Sequence, residues 1–337
     1  MPPADGVTGA RHCTLIQPEE NDMNALEIEG LKKRFGTKEV LKGVSFSVPE
    51  GCIFGFIGQN GAGKTTTMKM VLGLLQKDAG EIRVFGEPVT YGNTKTNRMV
   101  GYLPDVPEFY DYMTTKEYLR LCADITGMPK KEQKSRIDEM LETVGLAGEK
   151  HRIGGFSRGM KQRLGIAQAL LNKPKLLICD EPTSALDPMG RKEILDALLA
   201  AKKETTIIFS THILSDVERI SDRAAILHNG RIVREGTMEE LHRVRSERDF
   251  FVSAANQQSF IRLAELFPNM IPEEEQGGIS RLLWKHGGAE DFRRVLKTVA
   301  EESIDIEKAE WKESTLEDQF LEAVGKVDSE DGREAVR

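Results

Sequence analysis

Several features that would set this chain's class are scarce or absent. Its 337 residues include four cysteines, Cys13, Cys52, Cys122 and Cys179, and no two stand at metal-ligand spacing. Their spacing gives no sign of a cysteine-built metal site. Cys52 and Cys179 lie in apolar runs where buried thiols are ordinary, and a reducing, cytoplasmic setting fits all four. No apolar run approaches the roughly 18 residues that span a bilayer. The start of the chain lacks the basic-then-apolar pattern of a secretory signal. The expectation is a soluble protein, with any membrane role falling to a separate partner. Positive charge is not in surplus: 47 Lys and Arg stand against 54 Asp and Glu, a net charge of −7. That balance argues against a general nucleic-acid binder. No long repeat is present.

What is there is a globular composition. Hydrophobic residues make up 39%, enough for proper cores, and the length suggests about two domains. Residues 1–24, rich in Pro, Gly and polar side chains, read as a flexible tail. Residues 25–29 and 44–48 alternate like strands of a small antiparallel sheet. Thr114-x-x-Glu117 reads as a capping box opening a helix with Tyr118, Leu121, Cys122 and Ile125 on one face. A second helix carries Ile137, Met140, Leu141 and Val144 and stops at Gly145. Further helices are expected from Ser157 and Pro188. Leu176–Cys179, Thr205–Phe209 and Ala224–Leu227 are short apolar runs of the kind found in buried parallel strands. Asn229-Gly230 marks a two-residue hairpin. Beyond residue 240 a small α+β appendage is expected. Its strands are Phe250–Val252 and Leu282–Trp284, and its helices are marked by Phe292, Val295, Leu296, Val299 and by Leu316, Phe320, Leu321, Val324.

The most informative stretch is Gly58-Gln59-Asn60-Gly61-Ala62-Gly63-Lys64-Thr65-Thr66. It lies between an apolar run, Cys52 to Ile57, and a helical run, Met68 to Leu75, and fits G-x-x-x-x-G-K-[ST]. Glycines let the backbone turn tightly and bring bare N–H groups against phosphate oxygens. The helix behind them points its positive end at the anion. Lys64 should bridge the β- and γ-phosphates, Thr65 should ligate magnesium, and Thr66 falls on the α-phosphate side. The competing reading is a glycine-rich turn with an incidental lysine. A second motif supports the first: Leu176–Cys179 ends in Asp180-Glu181, at the strand end where open α/β sheets bind ligands. Asp180 is placed to hold magnesium and Glu181 to polarise the attacking water. By itself the pair also reads as a solvent-facing acidic turn.

Between these motifs lies Phe156-Ser157-Arg158-Gly159-Met160-Lys161-Gln162-Arg163, and here the chain resembles the ATPase subunit of an ATP-binding cassette (ABC) transporter. The family signature is Leu-Ser-Gly-Gly-Gln; this chain keeps Ser157 and Gly159 and departs at Phe156, Arg158 and Met160. Ser157 also reads as a simple helix cap. The resemblance implies further roles. Ser184-Ala185-Leu186-Asp187 is similar to the loop that contacts the other subunit, while Asp187 also reads as an N-cap before Pro188. His212 is similar to the switch histidine that contacts the γ-phosphate and orders Glu181. Phe35 is similar to the aromatic that stacks on adenine, although an aromatic there is commonly core. Asp105, in Gly101-Tyr102-Leu103-Pro104-Asp105, stands where the family presents a glutamine to metal and water; the same residues read as a Pro-Asp turn.

The expected fold is thus α/β, a P-loop NTPase of the ABC type. It combines a mixed or parallel core sheet, an antiparallel β subdomain and a helical subdomain, with a C-terminal α+β domain. The expected boundaries are a tail over 1–24, an ATP-binding domain over 25–240 with a helical insertion at about 105–172, an accessory domain over 245–325 and a tail over 326–337. Ser314-Thr315-Leu316-Glu317-Asp318-Gln319-Phe320 resembles the end of ATPase subunits of multidrug, antibiotic or lipid exporters. The implied activity is ATP hydrolysis with Mg2+, coupled to export through a separate transmembrane permease. Two chains, as a homodimer or a heterodimer with a second ATPase subunit, would sandwich ATP. The implied location is the cytoplasmic face of the plasma membrane, with no nucleic-acid partner. Two alternatives are a soluble cassette ATPase acting on nucleic acid or the ribosome, and a regulator that binds ATP without turnover.

Overall fold

Alternation in the first described segment produces a hairpin. Strands β1 (Asn24–Phe35) and β2 (Lys38–Pro49) pair antiparallel. With β4 (Ala79–Val84) and β5 (Glu87–Pro88) they form a four-stranded sheet in the order β2-β1-β4-β5. The computed structural model describes residues 23–93, 95–242, 248–274, 280–312, 316, 317 and 320. Apart from Met23 and Asn24, the expected tails over 1–24 and 326–337 lie outside the described residues, as do Leu321, Val324 and most of the segment 314–320.

The continuous apolar runs become a second sheet. Strands β3 (Ile53–Gly58), β6 (Val100–Leu103), β7 (Leu176–Asp180), β8 (Thr206–Thr211), β9 (Arg223–His228) and β10 (Arg231–Thr237) lie in the order β10-β9-β3-β8-β7-β6. All neighbours are parallel except β9 and β10. Strands β3, β7 and β8 are buried at every position and are mostly apolar because both faces of the sheet are covered there. Phe54 and Phe56 enter one core with Leu176, Ile178 and Ile208. Ile53, Ile57, Leu177, Cys179, Ile207 and Phe209 enter the other. The first core lies toward the antiparallel sheet, where Phe46 stacks on Phe54 and Phe56 with ring centroids 5.6 and 5.0 Å away. Each such buried side chain contributes roughly 1.5–3 kcal/mol relative to exposure.

The opposite core is roofed by helices. Helix α1 (Lys64–Val71), which follows β3, is the exception and buries Met68, Met70 and Val71 in the first core. It is shorter than expected, since a turn at Leu72-Gly73 ends it before Leu75. Helix α2 (Thr115–Ile125) has the capping box, with Thr114 and Glu117 satisfying each other's backbone. Its buried stripe is Thr115, Tyr118, Leu119 and Ala123, and Ile125 is 75% exposed. The face is thus rotated from the expected one, because 3- and 4-residue spacings on this helix allow two stripes and the neighbouring helices select one. Helix α3 (Lys130–Thr143) buries Ile137, Met140 and Leu141 as expected. Helices α4 (Arg158–Leu170), α5 (Pro188–Ala201) and α6 (Leu214–Ile220) complete the layer. A short α7 (Met238–His242) follows β10.

The appendage has its own antiparallel sheet, β12-β13-β11-β14, formed by β11 (Arg248–Ala254), β12 (Ile271–Glu274), β13 (Ser280–Gly287) and β14 (Ile306–Trp311). Helices α8 (Gln257–Leu266) and α9 (Ala289–Glu301) pack on it. Val295 and Val299 are buried as expected, whereas Leu296 is exposed. Beyond β14 the chain returns to the helical layer: Leu316 and Phe320 are buried in the core that holds Val217 and Ile220 of α6. The Leu316 N–H donates to Glu218 Oε1 at 2.8 Å.

The turn between β9 and β10 joins the two main sheets. Asn229 and Gly230 both have positive φ, 47° and 78°, as a type I′ turn requires. Lys42 N–H of β2 donates to Gly230 O at 2.8 Å. A Cβ on Gly230 would collide with the Val40 carbonyl. Gly230→Ala is expected to cost about 1–3 kcal/mol through backbone strain. Urea unfolding checks this, and an unchanged midpoint would show that the turn tolerates a side chain.

Candidate functional site

The phosphate-binding loop is built by the chain's need to turn from strand to helix. Strand β3 ends at Gly58 and α1 starts at Lys64, with Gly61 and Gly63 at φ 82° and 114°. Gly63 is the helix N-cap and makes no side-chain cap bond, and the first turn has no acidic residue. The first N–H groups of α1 are therefore left for a ligand, with the helix dipole behind them. A Cβ on Gly63 would come within 2.5 Å of Leu41 Cδ2, so the loop has no room for a side chain there. Gly58 is buried, Gln59, Asn60 and Gly61 are exposed, and Ala62 is half-buried. A cavity of about 240 Å³ lies between this loop and the hairpin residues Lys38 to Lys42.

Three strand ends then converge. Glu181 follows β7 and His212 follows β8; β8 runs parallel beside β3, and β7 runs parallel on the far side of β8. Lys64 Nζ lies 3.0 Å from Glu181 Oε1. It also donates to the carbonyls of Gly58 and Gln59. His212 Nδ1 lies 2.8 Å from Glu181 Oε2. One carboxylate is thus shared by a lysine and a histidine. Lys64 is 5% exposed, and a cation so buried requires a partner. Glu181 has a left-handed backbone, φ 48°, and its N–H is bonded to both O and Oγ of Ser210, each at 3.1 Å. Asp180 is buried, and its Oδ1 accepts a bond from Ser210 Oγ at 2.5 Å. Ser210 was not singled out from sequence. Its signal is a serine directly after the apolar run Thr205–Phe209, two residues before His212.

A second group lies on the helical side. Ser157 caps α4 by accepting from the Met160 N–H at 3.2 Å, and Asp187 caps α5 by accepting from the Gly190 N–H at 3.3 Å. The local capping readings of both residues hold. Gly159 faces Leu186 in the 184–187 loop, where a Cβ would meet Leu186 Cδ2 at 3.8 Å. Asp105, in the bend after β6, has Arg158 Nη2 3.5 Å from its Oδ1, and the pair is half-exposed at 44% and 47%. Gln162 Nε2 donates to the Asp105 carbonyl at 2.7 Å. Burial holds the Asp105 carboxyl above its ordinary range, Arg158 opposes this, and the charges of Asp180 and Glu181 add to it. Two departures from the family pattern, Asp105 and Arg158, therefore meet within one chain. Phe35, at the end of β1, is 49% exposed and so is not a core residue.

The residues fit a nucleotide and a hard cation. An uncapped helix end, a close-approach glycine and a buried lysine suit phosphate. Thr65, exposed in the first turn of α1, and Asp180 offer oxygen donors. Among the described residues no group of three or more His, Cys, Asp or Glu could hold a metal unaided. Strand, loop, helix and acid pair together define a nucleoside triphosphatase of the P-loop class.

Residues 41–184 match the ABC transporter family. Over 301 residues the chain is 39% identical to the ABC transporter ATP-binding protein YxlF of Bacillus subtilis (strain 168), covering 89% of this chain and 99% of that one. It is 40% identical over 299 residues to the bacitracin transport ATP-binding protein BcrA of Bacillus licheniformis, covering 88% and 95%. Among solved structures, an ATP-binding subunit of an ABC transporter is similar at TM-score 0.59 and 36% identity, covering 65% of this chain and 92% of that one. The cbiO1 protein of Clostridium perfringens, part of the cbiONQ transporter complex, is similar at TM-score 0.60 and 27% identity, covering 73% and 96%. The chain belongs to the family of ABC transporter ATP-binding proteins. It is an ATP-binding, ATP-hydrolysing transporter subunit, and the nucleic-acid or ribosome alternative is set aside.

Lys64→Ala is expected to weaken ATP binding about 10- to 100-fold, the loss of a charge-assisted bond worth ~1.5–3 kcal/mol. Titration with a fluorescent ATP analogue reads this, and unchanged affinity would remove Lys64 from the site. His212→Ala is expected to lower kcat at least about tenfold with little change in ATP affinity. Equal phosphate release by the two proteins would deny His212 its role.

Proposed function

We propose that this chain energises an exporter whose membrane-crossing permease is a separate polypeptide, and that it works as a pair closing over ATP. The observation that carries the reading is the Glu181 carboxylate, held at one oxygen by Lys64 and at the other by His212. A γ-phosphate competes with Glu181 for Lys64. The oxygen so released is free to accept a hydrogen bond from the attacking water, while His212 keeps the other in place. Thr65 and Asp180 would hold magnesium, with Asp105 reaching it through water. When bound, the metal offsets the negative charge of the phosphates. Phe35, exposed at the hairpin end, is placed for adenine to stack on it. Ser157 and Gly159 would meet ATP held by the other member of the pair, and Asp187 would line the contact between them. The second member is another copy or a related ATPase subunit.

Transport of bacitracin by relatives supports the export direction. Among the described residues no helix is long and apolar enough to cross a membrane; the similarity to cbiO1, part of the cbiONQ transporter complex, supports a separate permease and, through it, a peripheral position on the cytoplasmic face. The permease would dock near Asp105 and the helical insertion, where Val106, Tyr110 and Tyr112 are exposed large apolar side chains. Such a cluster is what a protein contact needs. The domain division proposed is the nucleotide-binding unit to about residue 240 and the accessory unit after it. ATP binding then becomes motion through unequal affinity for the open and closed pair.

Glu181→Gln is expected to bind ATP and remain a closed dimer, because Lys64 and the loop are intact while water activation is lost. Sedimentation with and without ATP reads this, and a monomer at saturating ATP would sink the closing-pair reading. Affinity purification from native membranes is expected to bring down a polytopic permease.

A further inference from the structure

Asp216, in the first turn of α6, is a buried carboxylate with no place in the mechanism above. It is 3% exposed. Its Oδ2 accepts from Thr183 Oγ1 at 2.6 Å, and its Oδ1 accepts from Arg191 Nη2 at 2.6 Å. The same guanidinium nitrogen reaches Ser215 Oγ at 3.3 Å. These partners come from three elements. Thr183 is two residues after Glu181. Arg191 is in the first turn of α5, four residues after Asp187. Asp216 is four residues after His212. The carboxylate therefore sits where the Glu181 loop, the 184–187 loop and the His212 segment meet.

The Glu181 loop needs such an anchor. Glu181 and Ala185 are both non-glycine residues with left-handed backbone, φ 48° and 51°. Such conformations persist only where the surroundings over-determine them. Thr183 lies midway between them, is fully buried, and its hydroxyl is tied to Asp216. His212 is held on the other side of the joint, where the Ile213 N–H donates to Thr211 Oγ1 and the Asp216 N–H to Ile213 O. A shift of Asp216 moves the Glu181 loop and the His212 segment against each other.

We infer that Asp216 is a positioning residue: its paired bonds to Thr183 and Arg191 set Glu181 against His212 and transmit displacement of the 184–187 loop to that pair. The inference deepens the reading of Glu181 and His212 as the working pair and rests on it. Asp216 is buried while Arg191 is partly exposed, so Asp216→Asn removes a charge-assisted bond that holds α5 to α6.

The test uses the full chain carrying Asp216→Asn, with Thr183→Val as a near-isosteric variant should the first fold poorly. Phosphate release is expected to show kcat reduced at least about tenfold in Asp216→Asn, with KM for ATP within about threefold. Asp216→Glu, which keeps the charge, is expected to restore most of kcat. The second readout is 15N NMR of the histidine rings without added nucleotide, with the His212 signals assigned from His212→Gln. In the parent, the His212 Nδ1 signal should be that of a ring bonded to carboxylate. In Asp216→Asn and Thr183→Val it should move toward the free-imidazole position. Unchanged His212 signals and kcat in both variants would overturn the inference. So would kcat and KM worsening together in step with loss of folded protein, which marks a role in stability alone. Absent phosphate release by the parent would count against the pairing and water-activation reading, and the His212 signals would still decide the role of Asp216.

Discussion

The site is organised by one carboxylate. Glu181 accepts Lys64 at one oxygen and His212 at the other, in a setting where a buried ammonium without a partner would be costly. This contact joins the phosphate-binding loop, the acidic strand end and the histidine segment. It is possible only because β3, β7 and β8 run parallel with their C-terminal ends on one edge. Lys64 is both the residue that would meet phosphate and the present counter-charge of the residue that would direct water. In the mechanism proposed, ligand binding and water activation would be linked through a single exchange of partners.

The two faces of the six-stranded sheet divide the work. The face toward the antiparallel sheet carries Phe54 and Phe56 and supports the hairpin that borders the cavity beside the glycine loop. The other face supports helices α4 and α5, which are capped by Ser157 and Asp187. The contact between Asp105 and Arg158 ties the bend after β6 to the start of α4. Because the pair is half-exposed, its worth is small, about 0–1 kcal/mol, so it orients the loop without locking it.

Much of this was legible in the linear chain where chemistry is local. The glycine loop before Lys64, the Thr114–Glu117 box, the Ser157 and Asp187 caps and the Asn229-Gly230 turn each depend on residues within a few positions of one another. What could not be read depends on partners far apart. Ser210 reaches Asp180 across 30 residues, and Thr183 reaches Asp216 across 33. The buried stripe of α2 was misplaced at Ile125 because two stripes share its spacing. Leu316 and Phe320 were expected to belong with the appendage, yet they are buried in the core beside α6.

The amino-acid order alone determined the ligand class, the parallel strands and the helix starts, because backbone sterics, capping and apolar periodicity act over a few residues. Tertiary structure alone decided which carboxylate neutralises Lys64, that Arg158 faces Asp105, and that Asp216 stands at the joint of three elements. Those outcomes depend on burial and charge pairing between segments that only the sheet topology brings together.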